Sequence, residues 1–180
     1  METLSLSQVG EERSCVVIGS GSTAASAIAA LSELGATRIT IAARNQQKAT
    51  PLLNICRDLA IEGSVSGLDD VPVLLADAQY AISTIPAYAA DDIAHAVAQR
   101  SENVLQTGEY SGLTLLDVVY DPRPTDLMAA AGRGGATCVG GEHMLLWQAV
   151  VQVALMTGID QRRVPVAAMR DKLKRAIEEK

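Results

Sequence analysis

Two short runs of residues carry the chemistry this sequence can do. The first is Gly19-Ser20-Gly21-Ser22-Thr23-Ala24, a GxGxxG pattern with Ala in the last place. It follows an apolar run, "SCVVIG", and opens a stretch of helix formers, "STAASAIAALSELG". Gly19 lets the chain turn sharply out of a strand, Gly21 lets backbone approach a pyrophosphate, and Ala24 lets helix and strand pack closely. N–H groups at the start of such a helix face phosphates, aided by the helix dipole. The second run is "AARNQQK", with Arg44 and Lys48 and no carboxylate. An acidic residue there would hold the ribose 2′-hydroxyl of NAD. Arginine instead grips a 2′-phosphate bidentately and stacks on adenine, so NADP is favoured over NAD. A glycine turn without ligand and a solvated arginine are the plain alternatives.

The elements that must position these residues alternate along the chain. Apolar runs at 14–19, 38–44, 79–86, 113–122 and 135–141 read as buried strands, with weaker candidates at 63–65 and 103–108. Helices are expected over 22–35, 46–61, 91–100 and 125–132, the last capped by Thr125 or Asp126. A helix or turn begins in 71–76, and a long apolar helix covers 142–157, stopped by Gly158. A final amphipathic helix spans 164–180, with Val166, Met169, Leu173 and Ile177 on one stripe. Strand alternating with helix means an α/β fold: a Rossmann-type, doubly wound parallel sheet with helices on both faces.

Composition sets bounds on this reading. The 180 residues suffice for one domain with its own core, and 48% are hydrophobic with no Phe and a single Trp. Such a core is Ala, Val, Ile and Leu, as an α/β layer protein needs. A net charge of -6 without a Lys/Arg run makes a poor nucleic-acid binder. Cys15, Cys56 and Cys138 show no metal-ligand spacing and read as thiols of a reducing compartment. No apolar run reaches the roughly 18 residues of a membrane span, so no membrane partner is expected and cytoplasm is the default. Residues 1–13 read as a frayed leader.

Five segments, the two above and three later ones, make the sequence resemble the C-terminal, NADP-binding domain of the shikimate dehydrogenases. "VVIGSGSTAASA" is similar to that family's glycine-rich loop, and "AARNQQKA" to its NRTxxKA segment, which places Asn45 beside Arg44 and Lys48 at the cofactor phosphate. "STIPA" (83–87) matches the loop after its fourth strand in the form seen in actinobacterial members. "LLDVVYDPRPTDLM" (115–128) resembles DVVYNPxxTPLL, and "GGEHMLLWQAVVQVALMTG" (140–158) resembles GxxMLxxQAxxQFxxxTG. The resemblance implies that Ser83, Thr84, Ile85 and Pro86 bind cofactor at a strand end, and that Val118 and Tyr120 lie near the nicotinamide. It implies that the backbone of His143 and Met144 contacts the nicotinamide amide, and that Gln148, with Tyr120, contacts substrate. The family often has Gly where His143 stands.

No match exists here for the family's catalytic lysine and aspartate or its serine-rich substrate motif, which belong to its N-terminal domain. The expected organisation is therefore 1–13 leader, 14–158 NADP-binding domain and 159–180 C-terminal helix, with no catalytic residue and no metal ligand in this chain. A fragment of a longer enzyme is favoured over a naturally short gene product. The whole enzyme would reduce 3-dehydroshikimate to shikimate reversibly with NADPH; this chain alone is expected to be inactive and to dimerise through its final helix. The alternatives are a quinate/shikimate dehydrogenase relative using NAD, and a non-catalytic NADP-sensing or scaffold module.

Overall fold

The computed structural model describes residues 12–103 and 108–178. Strand β1 (Ser14–Ile18) leads through the glycine turn into helix α1 (Ser22–Glu33). That helix buries Ala24, Ala27, Ile28 and Leu31, the spacing of a single apolar face. Gly35, at φ +80°, ends the turn before β2 (Arg38–Ala42). The single helix expected over 46–61 is broken in two, α2 (Gln46–Ala49) and α3 (Leu52–Asp58). Pro51 lies at the break and has no N–H to continue the ladder. Strand β3 (Glu62–Ser66) follows, then α4 (Val71–Ala76), which carries Pro72 in its first turn, where a missing N–H costs nothing.

The second half holds β4 (Tyr80–Ser83), α5 (Asp91–Asn103), β5 (Thr114–Asp117) and α6 (Asp126–Arg133). The strand candidate at 103–108 falls mainly on 104–107, outside the described residues. Thr125 caps α6 by accepting from the Met128 N–H. Then come β6 (Thr137–Gly140), α7 (Gly141–Thr157) and α8 (Val166–Glu178). Gly158 stops α7 in the left-handed conformation, φ +69°.

Among the described residues six strands form one sheet in the order β3-β2-β1-β4-β5-β6, with every neighbouring pair parallel. This is the doubly wound α/β arrangement, whose strand order reverses between β1 and β4. Period-two alternation splits the apolar side chains between two cores. Val16 and Ile18 join Leu75, Val97, Leu115 and Leu127 on one face. Cys15 and Val17 join Ile28, Leu31, Ile39 and Ile41 on the other.

Two expectations about the chain's ends change. Glu12 and Arg13 are tied to the domain rather than frayed. The Arg13 N–H donates to Thr37 Oγ1 at 2.9 Å, its guanidinium donates to the Leu34 carbonyl at 2.5 Å, and Glu12 pairs with Arg38. Residues 1–11 of the expected leader lie outside the described residues. The stripe Val166, Met169, Leu173 and Ile177 of α8 is half-buried, and α8 packs on α7. The apolar side chains left exposed near this end include Trp147, Val151, Leu155 and Met156 of α7 and Ile159 just after it. Among the described residues no helix is long and apolar enough to cross a membrane.

Candidate functional site

The last rung of the sheet runs Ser66, Ala42, Ile18, Ser83, Asp117, Gly140. The residues just beyond this rung form the rim where open parallel sheets bind ligands. At the centre of the rim, Gly19 has φ +115°, a value that L side chains rarely adopt. A Cβ there would collide with Thr84 Oγ1 and press on Ile85. Gly19 thus does more than turn the chain: it lets the β1 and β4 loops touch. The Thr84 N–H and hydroxyl both donate to the Ile18 carbonyl, at 2.8 and 2.9 Å, locking the two loops together.

Gly21 differs in kind. Its φ is -86°, and a Cβ built there meets nothing within 4 Å. It is the N-cap of α1, with no side-chain cap bond and no acidic residue in the first turn. Gly21, Ser22 and Thr23 are exposed, Ser20 is half-buried, and Ala24 is fully buried against the sheet. The helix start therefore offers backbone N–H groups to a space that suits an anion.

At the end of β2, Arg44 and Lys48 are exposed and form no ion pair among the described residues. Asn45 accepts a bond from the Lys48 N–H at 3.2 Å through Oδ1, so its side chain is already used in capping α2. The loop after β3 beside them carries Asp69 and Asp70, both exposed, and the Ser66 hydroxyl donates to Asp70.

The β4 loop divides the four residues expected there. Ser83 is wholly buried, so the structure places its side chain beneath the site and not on it. The alternation of a strand explains this, since Ser83 still belongs to β4 and points into the core face. Its hydroxyl finds no partner with hydrogen-bond geometry, yet it lies close enough to Asp117 to favour that carboxylate's charged form. Thr84 and Ile85 are half-buried at the rim, and Pro86 is exposed.

Beyond β5 the chain turns through 118–125. Val118 is half-buried and Tyr120 is 51% exposed, with its carbonyl accepting from Arg123 Nη1 at 2.9 Å. Arg123 Nη2 also donates to the Ile177 carbonyl at 3.1 Å, fastening the end of α8 to this segment. Gly141 opens α7 directly against it: a Cβ there would run into the Val118 carbonyl. His143 and Gln148 are exposed on α7, Met144 is half-buried, and Glu142 lies 3.8 Å from the His143 ring.

The sequence reading missed Asp117. It is 1% exposed, accepts from the Val119 N–H at 3.1 Å, and accepts from the Thr125 hydroxyl at 2.8 Å. Burial pushes its carboxyl above the usual carboxylate range, and the bonds from Thr125 and Val119, with Ser83 nearby, hold back the rise. The signal was an acid closing an apolar strand, with a helix-capping Thr eight residues on. No group of three His, Cys, Asp or Glu among the described residues could hold a metal ion. A cleft of about 320 Å³ between α5 and α6, lined by Asp91, His95, Asp126 and Arg133, contains none of the expected cofactor residues.

The rim thus has an uncapped helix start beside an open glycine, an unpaired arginine at the end of β2, and an exposed tyrosine across the strand-order reversal. These parts fit an extended dinucleotide carrying a 2′-phosphate. Comparison with known proteins gives the family. The family model described as shikimate / quinate 5-dehydrogenase matches residues 4–125. The chain belongs to the shikimate/quinate 5-dehydrogenase family. A relative named shikimate dehydrogenase (NADP(+)), from Halobacterium salinarum (strain ATCC 29341 / DSM 671 / R1), is 35% identical over 159 residues, 88% of this chain and 54% of its own length. The solved shikimate 5-dehydrogenase of Mycobacterium fortuitum is 38% identical with a TM-score of 0.74, covering 88% of this chain and 55% of its own. The shikimate dehydrogenase structure from Mycobacterium tuberculosis gives 34% and 0.73, covering 89% and 56%. The chain spans about half the length of the curated relatives it matches.

Proposed function

We propose that this chain is the C-terminal, NADP-binding part of a shikimate dehydrogenase of the actinobacterial type, with residues 14–158 as its cofactor domain and 159–180 as its closing helix. The whole enzyme reversibly reduces 3-dehydroshikimate to shikimate with NADPH in the cytoplasm. Arg44 carries the cofactor reading: it stands exposed and without an ion pair among the described residues, four residues before Lys48 and with no carboxylate between them. The substrate reading is supported by the NADP(+) shikimate dehydrogenase from Halobacterium and by the two mycobacterial structures.

The roles follow from position. The N–H groups from Ser20 to Thr23 hold the pyrophosphate, with the open space at Gly21 admitting it; those of Gly19 and Ala24 already donate to the Ala42 and Gly21 carbonyls. Arg44 holds the 2′-phosphate as a fork and Lys48 as a point charge. Asn45 contributes backbone, since its side chain caps α2. Thr84, Ile85 and Pro86 border the adenosine half, and Val118, Tyr120 and the backbone of His143 and Met144 border the nicotinamide. Tyr120 and Gln148, both exposed, face substrate. When bound, the cofactor supplies the hydride. On this reading the family's proton-transferring lysine–aspartate pair belongs to an N-terminal domain outside this chain. On its own the chain binds NADP weakly and turns nothing over.

The test is a titration of the chain and of Arg44→Ala with NADPH and NADH. NADPH binds tighter to the wild type, and the variant loses at least about tenfold of that preference, the worth of a charge-assisted bond to phosphate. Tighter binding of NADH by the wild type would overturn the Arg44 argument and favour the quinate branch of the family.

A further inference from the structure

Asp117 is the single acid in the last rung of the sheet, and it sits where an acid is expensive. It is 1% exposed, and no ion pair reaches it among the described residues. An unpaired buried carboxylate destabilises a fold unless hydrogen bonds compensate it. Here the compensating bonds have a particular layout. One oxygen takes the Val119 N–H at the start of the segment leaving β5, and the other takes the Thr125 hydroxyl at its close. The Thr125 hydroxyl passes the connection on by accepting from the Met128 N–H at 3.3 Å, which fixes the start of α6. One carboxylate therefore pins both ends of the stretch that carries Val118 and Tyr120. The Gly141 N–H donates to the Val119 carbonyl at 3.2 Å, so the start of α7 rests on the same stretch.

We propose that Asp117 is a positioning residue of the cofactor cleft, fixing segment 118–125, and through it the start of α7, as the wall against which the nicotinamide end of the cofactor lies. This rests on the NADP-binding reading above. Thr125 is its working partner. Asn at position 117 cannot replace the acid: both carboxylate oxygens accept, one from the Val119 N–H and one from the Thr125 hydroxyl, and an amide has a single acceptor oxygen, so in either orientation its NH2 faces one of those two donors. Ser at 125 keeps the hydroxyl, and Val removes it at nearly constant shape.

The test compares the full chain with Thr125→Val, Thr125→Ser and Asp117→Asn. Three quantities are read: affinity for NADPH, affinity for 2′-phospho-ADP-ribose, which lacks the nicotinamide, and amide exchange at Val119 and Gly141 without ligand. Thr125→Val and Asp117→Asn weaken NADPH binding by about tenfold while Thr125→Ser stays within about threefold of wild type. The truncated ligand binds all four proteins alike, because it uses the glycine loop and Arg44. Exchange at Val119 and Gly141 accelerates in the two disruptive variants. Unchanged NADPH affinity in Thr125→Val overturns the proposal, and so does an equal loss for both ligands, which would mark Asp117 as merely structural. If the wild type binds neither ligand, the NADP reading fails. The exchange rates then decide the matter alone: acceleration upholds the role of Asp117 in organising the wall, and unchanged rates overturn it.

Discussion

Replacing each of two neighbouring glycines by alanine should produce opposite phenotypes. Gly19 has φ +115°, and a Cβ there meets the Thr84 hydroxyl that bonds the Ile18 carbonyl. Gly19→Ala therefore costs about 1–3 kcal/mol for a residue in a disfavoured backbone region. Displacing Thr84 adds about 1 kcal/mol for its lost bond. The sum, about 2–4 kcal/mol, is a large part of the stability of an ordinary domain. It lowers the melting temperature by roughly 4–16 °C for a chain of this size. Gly21, by contrast, has φ -86° and open space around its missing Cβ. Gly21→Ala gains about 0.4–1 kcal/mol from the unfolded state. It loses a similar amount of N-cap preference, so stability changes by less than about 1 kcal/mol. The added methyl group nevertheless stands where a pyrophosphate must approach, and weakens NADPH binding by at least about tenfold. Urea unfolding and NADPH titration of both variants check the pair. A Gly21→Ala protein that unfolds early yet binds NADPH normally would refute the assignment of pyrophosphate to this turn.

Other outcomes follow from the buried polar groups. The Tyr110 hydroxyl donates to the Pro72 carbonyl at 3.2 Å inside the core, so Tyr110→Phe costs about 1 kcal/mol in urea unfolding with an unchanged slope. Cys15 and Cys56 are fully buried, and burial pushes both thiols up, that of Cys15 to about 11. The native chain should expose at most one reactive thiol, Cys138, to Ellman's reagent, and all three after denaturation; early reaction of a second would contradict the core described. Burial raises the Asp117 pKa in the folded state above its unfolded value. The folded protein then holds that proton more tightly, so the stability this group contributes is full below the unfolded pKa and is lost as pH rises through the folded one. Unfolding free energies of wild type minus Asp117→Asn should therefore fall as pH rises above the unfolded carboxyl value of about 4 and through the folded one, and a rise over that course would reverse the assignment.

What the sequence revealed and what it concealed divide along a physical line. The β1 loop, the α6 cap at Thr125 and the α7 stop at Gly158 are local: each depends on a backbone angle or a side chain bonding within a few residues. The break between α2 and α3 was also local, and Pro51 announced it, but the flanking apolar periodicity outweighed one residue in the reading. The exposed apolar stripe was hidden for a different reason. Helix α7 spreads its apolar residues around its axis, so its sequence marks no inward face, whereas α8 has a clear stripe and spends it on α7. Ser83 and Asp117 show the same limit at the site. Both end a strand; the sequence marks Ser83 as a rim residue and leaves Asp117 inside a longer expected strand. The register aligns them on one rung, facing inward, and passes the rim to Thr84 and Val118 one residue later. A shift of one position along a strand exchanges the buried and exposed faces. Motif position alone therefore finds the right loop but not which side chain in it meets ligand. That choice follows from where each strand ends, and here it turns Asp117 from an overlooked acid into the group that holds the far wall together.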